Sequence, residues 1–181
     1  MLKVISEHGV PQAGVTRVAE AAGVSEGTLY KYFNSRTEML IAALDSILAQ
    51  MLELLGSAHD VSALERLRTI GKHHSEMLRG ERGGFTYPWV EFIAAGPQVG
   101  LREAVARTQQ AAFKVLSAIV DEGKAQGTIR EDIDTDRVAW AWYTFAWAEN
   151  ISCLIGLNEY VEGGHSAYIL DLILKDAAPR G

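Results

Sequence analysis

The sequence predicts an all-α protein, with a helix-turn-helix at its N-terminus and a longer helical bundle after it. Three observations carry that expectation. Residues 14 to 33 hold two short helical patterns on either side of a tight break at Gly23-Val24. Two capping boxes, Ser35 with Glu38 and Ser62 with Glu65, open two longer segments. From residue 36 onward, apolar side chains recur at helical spacing between glycine and proline breaks.

Residues 2 to 8 read as about two turns of helix ending at Gly9, stabilised by packing of Leu2 and Ile5 because so short a helix is marginal alone. The loop Gly9–Gly14 leads into a first motif helix with Val15, Val18, Ala19 and Ala22 as a narrow apolar stripe. Gly23 suits the left-handed position that ends a helix, and Val24 is expected to plug the turn. Ser25 is placed to cap the next helix, with Glu26 at its positive end. Leu29 and Phe33 face inward, leaving Gly27, Thr28, Tyr30, Lys31 and Tyr32 on the outside. Hydroxyls, a cation and a glycine suit a helix lying in a major groove. Gly27 permits close backbone approach, Thr28 reaches a base edge or thymine methyl, and Tyr30, Lys31 and Tyr32 reach phosphates. Arg36, beside helix N-terminal amides, is a further phosphate candidate. The expected DNA contacts are Thr16, Ser25, Glu26, Gly27, Thr28, Tyr30, Lys31, Tyr32 and Arg36. Phosphate repels Glu26, so a useful role for it is to accept from a cytosine amine.

The run Ala21-Ala22-Gly23-Val24-Ser25, followed by Gly27-Thr28-Leu29-Tyr30, Tyr32-Phe33 and Asn34-Ser35-Arg36-Thr37-Glu38-Met39-Leu40, resembles the tetracycline-repressor (TetR/AcrR) family of bacterial transcription regulators. The resemblance is dense over residues 5 to 48. Beyond it, the helical pattern and a short segment near residue 130 are similar. It implies a homodimer, with a DNA-binding domain over residues 1–40 and a helical ligand-binding and dimerisation domain over 41–181. It also implies that the long helix opened by Ser35 links the two mechanically. Family members usually have a longer first helix preceded by basic residues, which this sequence lacks.

Composition agrees without singling out that answer. A chain of 181 residues with 48% hydrophobic content can build a sizeable core. The net charge is −6. Within residues 1–40 four basic side chains (Lys3, Arg17, Lys31, Arg36) balance four acidic ones (Glu7, Glu20, Glu26, Glu38), so the acidity lies in residues 41–181. DNA affinity must therefore come from local placement, and modest non-specific affinity is expected. The lone Cys153 excludes an intramolecular disulfide and fits a cytoplasmic location. No signal peptide is read at the start. The apolar window 138–157 is interrupted by Glu149 and Asn150, which favours a bundle helix over a membrane span.

The linking helix has Leu40, Ala43, Leu44, Ile47, Leu48, Met51 and Leu55 as its apolar positions. A break at Gly56–Asp60 precedes a helix to about Leu78, with Leu64, Leu67, Ile70, His74 and Leu78 near one face. Adjacent His73 and His74 point apart on a helix and lack a partner at ligand spacing, so no metal site is expected. The glycine-rich stretch 79–84 lacks the Lys-Ser/Thr ending of a phosphate cradle and reads as a connector. A short aromatic helix starts near Pro88 and stops at Gly96-Pro97. The next runs from about Gln98 to Gln126, with Gly127 as its stop. Asp134 or Asp136 caps a helix from Arg137 to about Leu157. That helix is apolar all round: Trp140, Tyr143, Trp147 and Leu154 on one side, Trp142, Phe145, Ala146 and Cys153 on another. It needs partners on both sides, a ligand pocket and a second subunit. A final helix around Ser166–Asp176 completes a four-helix dimer interface.

Aromatic rings with few polar groups suggest a pocket for a hydrophobic small-molecule effector. Its candidate residues are His74, Trp89, Phe92, Trp140, Tyr143, Trp147 and Asn150, with Glu91 and Glu149 as further orienting groups. No cofactor motif is present. Cys153 has no histidine placed to activate it, and no Gly-x-Ser-x-Gly occurs, so no enzyme is expected. The expected function is a ligand-responsive DNA-binding regulator, a repressor. It binds a pseudo-palindromic double-stranded operator as a homodimer through its last two helices and is released by the effector. The competing reading is a small-molecule-binding protein of the same fold with weak or lost DNA binding.

Overall fold

Helix ends follow the capping chemistry of the sequence. The computed structural model describes residues 1–56, 60–78, 86–94 and 100–180, and of residues 86–88 only the backbone. Ten helices are described: α1 (Leu2–Gln12), α2 (Val15–Ala22), α3 (Glu26–Leu29), α4 (Arg36–Leu55), α5 (Ala63–Leu78), α6 (Thr86–Ala94), α7 (Leu101–Ala125), α8 (Thr135–Leu154), α9 (Asn158–Glu162) and α10 (His165–Ala177). No strand occurs among the described residues. The expected connector at 79–84, the stop at Gly96-Pro97 and the middle of the break at 56–60 lie outside them.

The chain forms two compact units, Met1–Gln50 with Tyr87–Gln109, and Met51–Thr86 with Gln110–Gly181. In the first, α1 breaks at Gly9, which adopts φ +77°, and a further helical turn carrying Pro11 replaces the expected loop. Val4 and Ile5 are buried, whereas Leu2 is only half-buried. Gly23 closes α2 at φ +68°. The Gly23 amide donates to Glu20 O (3.1 Å) and the Val24 amide to Ala19 O (3.0 Å), the paired bonds of a Schellman end. Val24 is thus fixed by its backbone, but its side chain stays 40% exposed and does not plug the turn. Ser35 Oγ accepts from the Glu38 amide at 3.1 Å. The glutamate returns the bond one residue earlier than a capping box would, to the Asn34 amide at 2.6 Å.

The second unit is built on α5, α8 and α10, with the C-terminal part of α7 and the last turn of α4. Its core includes Leu67, Ile70, Leu116, Val120, Trp142, Phe145, Leu170 and Leu174. Close approach explains two glycines. A Cβ on Gly71 of α5 would lie 2.6 Å from Leu170 Cδ2 of α10, and one on Gly123 of α7 2.6 Å from Ile129 Cδ1. Gly127 at φ +69° ends the α7 region, and Asp134 caps α8 by accepting from the Arg137 amide (2.9 Å). Arg130 ties this turn to the end of α10, donating Nε to Asp176 O at 2.8 Å. Helix α8 ends at Leu154, three residues before the end near Leu157 that the sequence pattern suggests, and Gly156 just beyond it adopts φ +85°. Helix α9 was not anticipated, because five residues are too few to show a period.

Candidate nucleic-acid interface and effector site

The reading element begins at Ser25. Its Oγ accepts from the Thr28 amide (3.1 Å) and pairs with Thr28 Oγ1 (2.9 Å), so the two hydroxyls engage each other. Helix α3 is only four residues long. The chain then tightens: the Lys31 amide donates to Thr28 O (3.2 Å) and the Tyr32 amide to Leu29 O (3.0 Å), bonds of the three-residue type. The helix expected to follow the Ser25 cap is therefore one α-helical turn with a tight extension. Thr16, Ser25, Glu26, Gly27, Tyr30, Lys31 and Tyr32 are exposed and Thr28 is half-buried. Tyr30 and Tyr32, at 52% and 74% exposure, stand out as aromatic rings facing solvent. A Cβ on Gly27 would meet only Ser25 Oγ, at 3.8 Å, so this backbone is open to close approach.

Arg36 is placed differently from its neighbours. It is half-buried, donating Nε to Ala13 O (3.0 Å) and Nη2 to Val10 O. Those carbonyls belong to the last turn of α1 and the residue that follows it, so the guanidinium braces the head from within. Exposed Arg17 of α2, tethered by Gln12 Oε1 at 2.8 Å, adds a cation beside Thr16 that sequence reasoning passed over. Its position beside Thr16 on a motif helix was the available signal.

In the second unit, Glu149 of α8 is 2% exposed. Its carboxylate accepts from Ser75 Oγ (2.7 Å) and lies 2.9 Å from His74 Nδ1, both on α5. A buried carboxylate needs such partners. His73 is exposed and His74 half-buried, as their opposed directions require. Along α8, Trp140 stacks on Tyr143 with centroids 5.3 Å apart, and Tyr143 meets Trp147 at 6.3 Å. Phe113 of α7 meets Trp140 edge-on at 6.2 Å. Trp140 is 57% exposed, Tyr143, Trp147 and Asn150 are half-buried, and Trp142 and Phe145 fill the core. Burial pushes the Tyr143 hydroxyl above its ordinary pKa, opposed by a bond with Trp147. Burial, then the Glu149 and Glu162 charges, push the Cys153 thiol up. Trp89 and Phe92 are buried in the first unit. Five of the seven effector candidates thus share the second unit and two belong to the first. Glu91 is also in the first unit, bonded to the Val10 amide.

Among the described residues no three His, Cys, Asp or Glu side chains converge as metal ligands, and no helix is long and apolar enough to cross a membrane.

A capped helix-turn-helix with an open outer face, continued by a separate helical unit, defines a DNA-binding regulator of transcription. Residues 2–43 match the family model for bacterial regulatory proteins of the tetR family, so the match covers the helix-turn-helix head. The fatty acid metabolism regulator protein of Bacillus subtilis is 27% identical over 135 residues, which are 74% of this chain and 69% of that protein. The fold is that of the transcriptional regulator FadR from Bacillus subtilis, solved in complex with stearoyl-CoA. The TM-score is 0.74 at 23% identity, over 97% of this chain and 94% of that one. A TetR transcription regulator from Haloarcula marismortui superposes with a TM-score of 0.82 at 15% identity, over 98% and 93% of the two chains.

Proposed function

We propose that the protein is a cytoplasmic repressor that binds a pseudo-palindromic operator as a homodimer and is released by a hydrophobic effector. Residues 1–40 are assigned to DNA reading, and residues 41–181 to effector binding and dimerisation. The observation that carries the reading is the outer face of α3 and its extension: Glu26, Gly27, Tyr30, Lys31 and Tyr32 all lie exposed around a helix start fixed by Ser25. Two such helices sit in successive major grooves about 34–36 Å apart. Thr16, Ser25 and Thr28 complete each contact set, and Arg36 braces the head through its bonds to Ala13 O and Val10 O.

Dimerisation is assigned to α8 and α10, which leave Ile151 and Ile155 just at the end of α8, and Tyr168, Ile169 and Leu172 on α10, exposed. An apolar surface of that kind is the ordinary sign of a partner. The effector proposed is a long-chain fatty acyl thioester. The relative from Bacillus subtilis is named a fatty acid regulator, and FadR was solved with stearoyl-CoA. The rings of Trp140, Tyr143 and Trp147, with His74 and Asn150 as polar groups, are the proposed contacts, all within the second unit. Effector binding favours a state in which α4 has swung, and its differential affinity for the two states sets how far it shifts them.

The balanced charge of residues 1–40 favours one rival, a ligand-binding relative without an operator. Selection of short duplexes by the purified dimer over a range of salt separates the two. A two-fold symmetric site, lost on Tyr30→Ala or Thr28→Ala and weakened by stearoyl-CoA, supports the repressor. No preference over bulk DNA at low salt supports the rival.

A further inference from the structure

We propose that Glu91 is a positioning residue for operator binding, holding from α6 the elbow through which the helix-turn-helix leaves α1. The inference rests on the operator-binding reading above and extends it to a residue far outside residues 1–40.

The elbow is the stretch Gly9–Ala13. At Gly9 the backbone takes φ +77° and ψ 162°, so α1 turns off its axis. Val10, the next residue, is fully buried. An amide there has no access to water and needs a partner. Glu91 supplies it, with Oε2 accepting from the Val10 amide at 3.1 Å. The same oxygen lies 2.9 Å from where a Cβ on residue 9 would stand. Two independent constraints therefore meet at Gly9: a positive φ that favours glycine, and a carboxylate that occupies the side-chain position.

Arg36 holds the other side. From α4 it donates to Val10 O and Ala13 O. Val10 is thus clamped on its N–H by an anion from α6 and on its C=O by a cation from α4, within one compact unit. Bonds to charged groups hold the peptide from both sides, so displacement of α6 loosens the Val10 amide and frees the angle of the motif. A single head on a single half-site tolerates that freedom. Two heads that must enter successive grooves together do not.

The test uses the full-length wild type, Glu91→Gln and Glu91→Ala, with the operator recovered for the wild type and a duplex carrying one half-site. Operator and half-site affinities are read by fluorescence anisotropy, and Val10 amide exchange by NMR without DNA. Glu91→Ala is expected to exchange Val10 about tenfold faster and to bind the operator about tenfold more weakly, with half-site affinity unchanged. Glu91→Gln, whose side-chain carbonyl replaces the accepting oxygen, is expected to stay within about threefold of wild type in each reading. Gly9→Ala, which takes the space of Oε2, is expected to behave as Glu91→Ala. If Glu91→Ala does not fold, Glu91→Asp, one methylene short of Val10, gives the same comparison. Wild-type operator affinity in Glu91→Ala overturns the inference. So does equal weakening of operator and half-site, which marks a merely structural role, and so does a glutamine variant as weak as the alanine one. If the wild type itself recovers no operator, the repressor reading has failed, a result distinct from an operator bound equally by all variants.

Discussion

Arg36→Ala separates two uses of one guanidinium. Adjacent helix-end amides suggest a phosphate contact, whereas the side chain donates to Ala13 O at 3.0 Å and to Val10 O. Both residues are fully buried, so when the side chain is removed Ala13 O loses this donor and Val10 O is left with the Ala13 amide at 3.2 Å. A hydrogen bond from a charged donor contributes about 1.5–3 kcal/mol, and two that share one group are not additive, so a loss of about 3 kcal/mol is expected. For a chain of this length each kcal/mol lowers Tm by about 2–4 °C, giving a fall of roughly 6–12 °C. The phosphate role has a different signature. Each phosphate neutralised contributes about 0.9 to the slope of log K against log salt, so losing one contact per subunit flattens a dimer's slope by about 1.8. Differential scanning fluorimetry and anisotropy titrations at several salt concentrations read both quantities. The expected result is a lower Tm with a salt slope changed by less than roughly 0.5, whereas Lys31→Ala flattens the slope by about 1.8 and leaves Tm alone. Arg36→Lys keeps the charge but not the fork, and is expected to lose most of the stability. A flattened slope with unchanged Tm in Arg36→Ala refutes the argument.

Three further outcomes are expected. Gly71→Ala forces a methyl against Leu170 and destabilises by about 1 kcal/mol, an overpacking cost of about 1–3 partly offset by about 1 of helix propensity. In a Leu170→Ala background the clash is gone and the same change stabilises by about 1 kcal/mol, so denaturant melts that show no change of sign discard the packing account. Glu26→Ala relaxes a cytosine preference at one position of each half-site, read by repeating the duplex selection; an unchanged preference removes Glu26 from base reading. Cys153 alkylates slowly near neutral pH, and Glu149→Gln speeds it by removing a charge that raises its pKa. Because this thiol is raised on folding, the unfolded chain ionises first, and stability falls as pH climbs past the unfolded thiol's value near about 8.5. An alkylation rate indifferent to Glu149→Gln excludes that charge as a cause.

Local signals were legible in the sequence, and long-range ones were not. Gly23, Ser25, Gly127 and Asp134 act through bonds to residues within five positions, so residue type alone announces them. The Arg36 bonds reach back 23 and 26 residues, and the Glu91 bond spans 81. No spacing rule reveals these, and both side chains read as ordinary surface or ligand charges. Glu149 is similar: its partner Ser75 lies 74 residues away, so in sequence it reads as a break in an apolar run or a ligand-orienting group. The two sides of α8 were separable by period, but not their fates. Trp142 turns inward, donating Nε1 to Leu67 O at 3.1 Å, while Trp140, two residues earlier, is left outside. Val24 misled because a valine after a helix-ending glycine fits a buried plug, although here the turn is held by backbone bonds.

The balanced charge of residues 1–40 and the clamp at Val10 belong to one argument. A head with a strong basic field can bind DNA in many orientations, and geometry then matters less to affinity. This head carries as many anions as cations, with Glu26 on the reading face itself. Attraction at a distance is weak, so on the proposed repressor reading affinity depends on contacts formed only when both α3 helices lie correctly in their grooves. Under that constraint a rigid elbow has more effect than an added lysine. Glu91 and Arg36 fix the Val10 peptide from two different helices. A protein that relies on orientation in this way is also easily switched, because a small displacement of α6 or α4 removes the geometry on which binding depends.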